Sequence, residues 1–125
     1  MIVHKSRMFN FEKLGVWQKA IDFADLVYNR TRSFPPDERF GLTNQMRRAA
    51  VSISSNVAEG SSRMSQADFA RFIEIATGSV FEVVSQSFIA RRQHFLDEEG
   101  FRAIYVAAEE IGRMLSGLRK SLSSR

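Results

Sequence analysis

Apolar residues recur at intervals of three and four along almost the whole of this chain, a spacing that places them on one face of an α-helix. Few points interrupt the pattern, and the only two prolines are adjacent, at positions 35–36. Proline lacks a backbone N–H and disfavours helix at the preceding residue, so one helix is predicted to end near residues 33–34. A second break is predicted at residues 60–62, where Gly60 suits a helix C-cap and the two serines suit a turn. A third is predicted at residues 96–99, where Asp97 can cap a new helix.

These three breaks leave four helical segments, each with a stripe of apolar or small residues. The stripes are Leu14, Trp17, Ile21, Ala24, Tyr28 and Thr31; Leu42, Met46, Ala49, Ile53 and Val57; Phe69, Phe72, Ala76, Val80, Val83, Ser87 and Ala90; and Ile104, Ala108, Ile111, Leu115, Leu118 and Leu122. Short links between long helices favour antiparallel neighbours. We therefore expect an all-α, up-down-up-down four-helix bundle over residues 11–122, with a loose N-terminal arm at 1–10 and a frayed C-terminus at 123–125.

The first and third segments carry a second apolar stripe. Its members are Val16, Ala20, Phe23 and Val27 in the first segment, and Phe81, Val84, Phe88 and Phe95 in the third. A helix at the corner of an isolated bundle needs only one apolar face. The chain also has 11 phenylalanines, more than one small core readily holds. Two interpretations stay open: a wide core with some exposed phenylalanine, or contact with further subunits. We favour the second, with Phe23, Val27, Phe81, Val84 and Phe88 as candidate interface residues.

Composition excludes several classes of site. The chain has no cysteine, so a disulfide scaffold, a thiolate nucleophile and a Cys-ligated metal are all excluded. No apolar run approaches the roughly 20 residues of a membrane span, and the first residues lack the apolar core of a signal peptide. Hydrophobic residues at 44% and charged residues at 26% are typical of a globular domain. We expect a soluble, cytoplasmic protein that does not act at a membrane.

The sequence offers little for catalysis. The two histidines are His4, in the predicted arm, and His94, interpreted as a solvated or capping residue. A di-iron bundle needs paired Glu-x-x-His motifs, but Arg91 stands three residues before His94. Phosphate-binding glycine loops are absent, and the helical glutamates are interpreted as ion-paired or solvated, with Glu82 as the best candidate for burial against a polar neighbour. We therefore predict no enzymatic activity, no metal, no cofactor and no small-molecule substrate.

The charge is concentrated in arginine and in the first half of the chain. The formal net charge is +4, residues 65–125 are balanced, and arginine outnumbers lysine fourteen to four. The guanidinium fork pairs bidentately with phosphate, but it serves ion pairs between subunits equally well. Both interpretations remain open. If the second and third helices are neighbours, a single positive face can form, and its candidate nucleic-acid contacts are Arg47, Arg48, Arg63, Arg91 and Arg92, with Arg71 beside them.

Several stretches together resemble a known family. They are residues 16–20, 33–43, 45–53 (Gln-Met-Arg-Arg-Ala-Ala-Val-Ser-Ile) and 56–60 (Asn-Val-Ala-Glu-Gly), then Gly78, Ser79, Glu82 and Gln86, and finally residues 109–115 and 117–118. Over roughly residues 9–122 the chain resembles the bacterial 23S rRNA intervening-sequence proteins, and more distantly the accessory proteins of diversity-generating retroelements. Two positions depart from the pattern. Ser54 stands where relatives often have proline, and Val84 where they often have an acidic residue, which makes that face more apolar.

The resemblance implies a four-helix bundle assembled into a ring, with a homopentamer as the expected size, and a link to RNA through genetic context. The resemblance does not imply a defined catalytic activity. Arg47 and Arg48 lie inside the matching motif, whereas the other candidate arginines rest on charge alone. Asn56 and Glu59 match the motif as polar contacts at a helix or subunit boundary. Two hypotheses follow: a homo-oligomer that binds RNA or a nucleoprotein, or a protein–protein scaffold without nucleic-acid contact.

Overall fold

The computed structural model describes residues 9–123. Its four α-helices are α1 (Gly15–Thr31), α2 (Leu42–Ser61), α3 (Gln66–Arg92) and α4 (Glu98–Ser123). Short 3-10 turns, Asn10–Lys13 and Pro36–Glu38, precede α1 and α2. Residues 9–123 contain no strand, so the all-α prediction and its four segments are confirmed. Residues 1–8 of the predicted arm and residues 124–125 of the predicted C-terminus lie outside the described residues.

Side chains cap the start of three helices. The Asp97 carboxylate accepts a hydrogen bond from the Gly100 backbone N–H at 2.7 Å, as the sequence predicts for the start of α4. The Ser65 hydroxyl accepts from Asp68 N at 3.1 Å at the start of α3. Glu38, in the proline turn, accepts from Leu42 N at 2.9 Å at the start of α2. These bonds satisfy amides that have no partner inside the helix, and they fix where each helix begins.

Gly60 does not have the role that the sequence predicted. It lies inside α2, and no glycine in residues 9–123 has a positive φ, so Gly60 is not a left-handed C-cap. It is buried instead against α3, where a Cβ at this position would lie 2.7 Å from Phe72 Cβ and 2.9 Å from Phe69 Cδ1. Glycine is required here because it lets the backbone of α2 approach α3 closely.

The positive φ that ends a helix belongs to His94 instead, with φ of 64° just after α3. Its backbone N–H donates to Arg91 O at 3.0 Å, and Phe95 N donates to Ala90 O at 2.9 Å. This arrangement closes the last turn of α3, and the exposed imidazole takes no part in it. The interpretation of His94 as a solvated or capping residue agrees with this position.

Each helix packs against the next helix along the chain, and α1 also packs against α4. Arg91 near the end of α3 pairs with Glu98 at the start of α4, and Glu74 near the start of α3 pairs with Arg119 near the end of α4. Residues late in α3 therefore contact residues early in α4, and residues early in α3 contact residues late in α4. The core between the helices is formed by fully buried apolar side chains. The largest of them are Phe23, Met46, Ile53, Ile73, Ile104, Ile111 and Leu115.

By length and composition α3 is the one helix in the described part of the chain that could cross a membrane. In the bundle, its inner face is buried against its neighbours. Ile73, Ala76, Val83 and Ala90 are all fully buried in the core. Packing inside the chain accounts for this inner face. It does not account for Phe81, Phe88 and Ile89 of the same helix, which are exposed.

Candidate functional site

The two arginine doublets each contain one arginine that is engaged within the chain and one that is free. In the first doublet, Arg47 is the engaged member. Its Nε donates to Thr31 Oγ1 at 2.9 Å, its Nη2 donates to the Tyr28 carbonyl at 3.3 Å, and its guanidinium lies 4.5 Å from the Tyr28 ring centroid. Carbonyls at a helix C-terminus lack partners and carry partial negative charge, so Arg47 holds the end of α1 against α2.

The second doublet repeats this arrangement at the end of α3. The Arg91 guanidinium lies 3.8 Å from the Phe101 ring centroid and 5.3 Å from that of Phe88, and its Nη1 is 3.3 Å from Glu98 Oε1. By contrast, Arg48 and Arg92 are exposed and make no hydrogen bond, ion pair or ring contact with any residue between 9 and 123. These two guanidinium groups are therefore free to meet a ligand.

Arg63 belongs to a different part of the surface. It follows α2, donates to Glu59 Oε2 at 2.8 Å and lies 4.6 Å from the Phe72 ring centroid. Arg63 comes sixteen residues after Arg47. At a rise of 1.5 Å per helical residue, this corresponds to roughly 24 Å along α2. Arg71, also at that end, is paired with Asp68 at 2.8 Å. The structure therefore does not bring all the candidate arginines onto one positive face, although α2 and α3 are neighbours.

The register of α2 on α3 places the two free arginines in the same half of the bundle. Ser52 Oγ and Ser79 Oγ are hydrogen-bonded at 2.9 Å, and a Cβ at Gly60 would meet Phe72, so the contacts pass in opposite directions along the two helices. The first half of α2 consequently lies beside the second half of α3. In this register Arg48 is level with residue 83 or 84, and Arg92 lies roughly 13 Å further along α3. Asn56, which donates to Ser52 O at 2.8 Å, belongs to the same helix boundary.

The predicted subunit stripe on α1 is wrong. Phe23 and Val27 are 1% and 0% exposed, and they pack in the core of their own chain. The residues that were expected to face inward, Ile21 and Tyr28, are exposed instead. Two apolar stripes on one helix are equivalent in the sequence. Only the positions of α2 and α4 decide which of them is buried.

On α3 the second stripe does remain at the surface. Phe81 is 71% exposed and Phe88 is 43% exposed, with Val84 half-buried between them. Together with Tyr105 and Gly112 of α4 they line an apolar groove of about 800 Å³, here called the α3–α4 groove. Charge is confined to Glu109 and Arg113 of α4. The third-segment candidates Phe81, Val84 and Phe88 are thus a single apolar surface.

A cleft that sequence reasoning missed opens beside the proline turn. It holds about 840 Å³ and is lined by Tyr28 of α1, by Arg39 and Phe40 of the turn, and by the outer face of α2. Phe40 is 84% exposed, and the Arg39 guanidinium lies 5.0 Å from its ring centroid. An aromatic beside an arginine in a turn, with no helical periodicity to bury it, is the signal that could have found this site. We call it the Phe40 cleft.

Three of the four helical glutamates that the sequence singled out are paired with basic side chains. Glu59 and Glu74 are ion-paired with arginines, and Glu110 pairs with Lys19 at 3.4 Å. Glu82, the best candidate for burial against a polar neighbour, is exposed, and it accepts a long bond of 3.4 Å from Gln86 Nε2. Among residues 9–123, no group of three histidine or acidic side chains is placed to hold a metal ion.

Gln86 is the buried member of that pair. It is a residue of the matched family stretches, and its side chain is almost entirely enclosed. Its Oε1 is the single fully buried side-chain oxygen or nitrogen in the described chain that has no hydrogen-bond partner. A carbonyl buried in this way gives up its hydrogen bond to water on folding and gains no protein donor, which lowers the free energy of unfolding.

Comparisons with known proteins agree with this architecture. A family model described as 23S rRNA-intervening sequence protein matches residues 12–117, most of the chain. A solved structure from Bacteroides thetaiotaomicron, described as a protein of unknown function from the S23 ribosomal protein family, superposes with a TM-score of 0.78. It is 24% identical, and the match covers 84% of this chain and 95% of that one. No curated protein gives a significant match. The chain belongs to the family of 23S rRNA-intervening sequence proteins.

Proposed function

We propose that this protein is a non-enzymatic homo-oligomer that binds RNA through the free arginines in one half of its bundle. In this proposal the four helices run up-down-up-down, the copies form a ring in which a pentamer is the expected size, and the assembly works in the cytoplasm. The single observation that carries the proposal is the pair of unpartnered guanidinium groups, Arg48 and Arg92, in the same half of the bundle. The name of the family, which refers to a sequence within 23S rRNA, supports an RNA partner.

The α3–α4 groove supports self-association. Exposed apolar patches of this kind on a small protein mark contact surfaces, and burial of a phenylalanine side chain contributes about 1.5–3 kcal/mol. Phe81 is the most exposed of the aromatic residues that line the groove. A ring would repeat the two free arginines on every copy, and the summed positive field would strengthen RNA binding at low salt.

The RNA test is a binding titration with structured RNA across a salt series. The Arg48→Glu/Arg92→Glu double variant should lose most of its affinity. Removing one arginine–phosphate pairing lowers the slope of log K against log salt by about 0.7–0.9. The matched control is Arg71→Glu/Lys120→Glu, which makes the same change of charge elsewhere on the surface. Equal loss in both double variants, or no binding by the unmodified protein at low salt, would reject the proposal.

The self-association test measures particle mass by light scattering. Phe81→Glu should lower the mass without unfolding the chain, because this side chain is mostly exposed within one copy. Phe88 is a poorer probe, since its ring packs 4.8 Å from the ring of Phe101. Val106→Glu on the outside of α4, away from the groove, is the control and should leave the mass unchanged. A monomeric mass for the unmodified protein would contradict self-association.

The second candidate function is a protein–protein scaffold without nucleic-acid contact. The same α3–α4 groove favours it, since an apolar surface with little charge suits a protein partner better than RNA. This alternative predicts that a partner protein co-purifies and that the ratio of absorbance at the nucleic-acid and protein maxima shows no nucleic acid.

A further inference from the structure

The Phe40 cleft differs chemically from the α3–α4 groove. Its lining includes three arginines, at positions 39, 47 and 48, and no acidic residue. The remaining polar side chains are neutral, from Asn44, Thr43 and the serines of α2. At about 840 Å³ it is within the range of clefts that hold small organic ligands. A concave surface with positive charge and no carboxylate selects an anionic ligand.

The aromatic groups of the cleft are unusual for a folded surface. Phe40 is 84% exposed, so the fold of one copy does not need its ring for packing. The Tyr28 ring, also exposed, lies under the Arg47 guanidinium at 4.5 Å. Arg47 is held by its bonds to Thr31 and Tyr28, so this part of the cleft is preformed.

Aromatic rings beside arginines are the combination that holds single-stranded nucleic acid. The rings stack on the faces of the bases, while the guanidinium groups pair with the phosphates between them. In a duplex the base faces are covered by neighbouring base pairs, and an isolated phenylalanine ring gains nothing from them. A ligand that uses both Phe40 and the arginines must therefore present unstacked bases.

We infer that the Phe40 cleft binds a single-stranded segment of RNA, with a base stacked on Phe40 and the adjoining phosphates paired with Arg39 and Arg48. This inference rests on the proposed function, because it specifies which form of RNA the protein takes and where it binds. Arg48, already identified as a free guanidinium, belongs both to the RNA surface of the proposed function and to the Phe40 cleft. Phe40, Arg39 and Tyr28 are new to the site.

The test is fluorescence anisotropy with a labelled, unstructured adenine-rich RNA of about twelve nucleotides, and with the same strand in a duplex. Phe40→Ala should weaken binding of the single strand by about fivefold or more, and should leave duplex binding unchanged. Phe40→Trp should retain the affinity, because it keeps a stacking face, whereas Phe40→Leu should not. Arg48→Gln should lower the salt slope for the single strand by about 0.7.

The outcomes separate this inference from the proposed function. If the unmodified protein binds neither RNA, the proposed function fails and this inference fails with it. If it binds RNA but Phe40→Ala and Phe40→Trp behave alike, the stacking site is refuted while RNA binding through Arg48 and Arg92 stands. A fall in particle mass with Phe40→Ala would show that Phe40 contacts another copy, which overturns the inference. Tighter binding of the same sequence as DNA would overturn the assignment to RNA.

Discussion

The close approach of α2 and α3 at Gly60 allows a test with two opposing terms. Replacing glycine by alanine inside a helix gains about 1 kcal/mol from backbone propensity. At Gly60 the added Cβ would meet Phe72 Cβ at 2.7 Å, and a Cβ is fixed to its own backbone and cannot rotate away. The helices must move apart, and overpacking of this kind costs about 1–3 kcal/mol. We expect Gly60→Ala to destabilise the protein by about 1 kcal/mol.

Gly117→Ala is the matched control, because a Cβ at Gly117 of α4 meets nothing within 4 Å. It should stabilise the protein by about 1 kcal/mol, so the two variants should differ by about 2 kcal/mol. For a chain of 125 residues each kcal/mol corresponds to roughly 3–6 °C in Tm. Urea unfolding at a fixed protein concentration measures both. Equal stability of the two variants would refute the close packing of α2 on α3.

Three further substitutions test particular contacts by the same unfolding assay. Arg47→Met should cost about 1–2 kcal/mol, because it leaves the Tyr28 carbonyl and the Thr31 hydroxyl without their charged donor, whereas Arg48→Met should stay within about 0.5 kcal/mol of the parent. Similar losses in both would mean that Arg47 is not held as described. Gln86→Met should raise stability by about 1 kcal/mol because it removes the unpaired buried carbonyl; a loss of stability would show that Gln86 has a partner, such as a second copy. His94→Gly should raise stability by about 0.5–1 kcal/mol by relieving the positive φ, and His94→Ala should give no such gain.

The sequence by itself determined the helices and where they begin and end. Spacing of three and four residues, the adjacent prolines and the Asp97 cap are local features, and each acts through backbone geometry within a few residues. That is why the four segments and the breaks between them could be predicted. The sequence could not predict which arginine of the first doublet is free. Arg47 bonds to Thr31 and Tyr28 of another helix, whereas Arg48 faces solvent.

Only the tertiary structure decided which apolar stripe of α1 is buried and which arginines are free. Phe23 and Ile21 are both apolar residues at helical spacing, and the neighbouring helices select Phe23 for the core. The sequence predicted a C-cap role for Gly60, whereas its real constraint is the Phe72 side chain of another helix. Burial, pairing and close approach are properties of pairs of residues distant in the chain, and a local pattern carries no information about them.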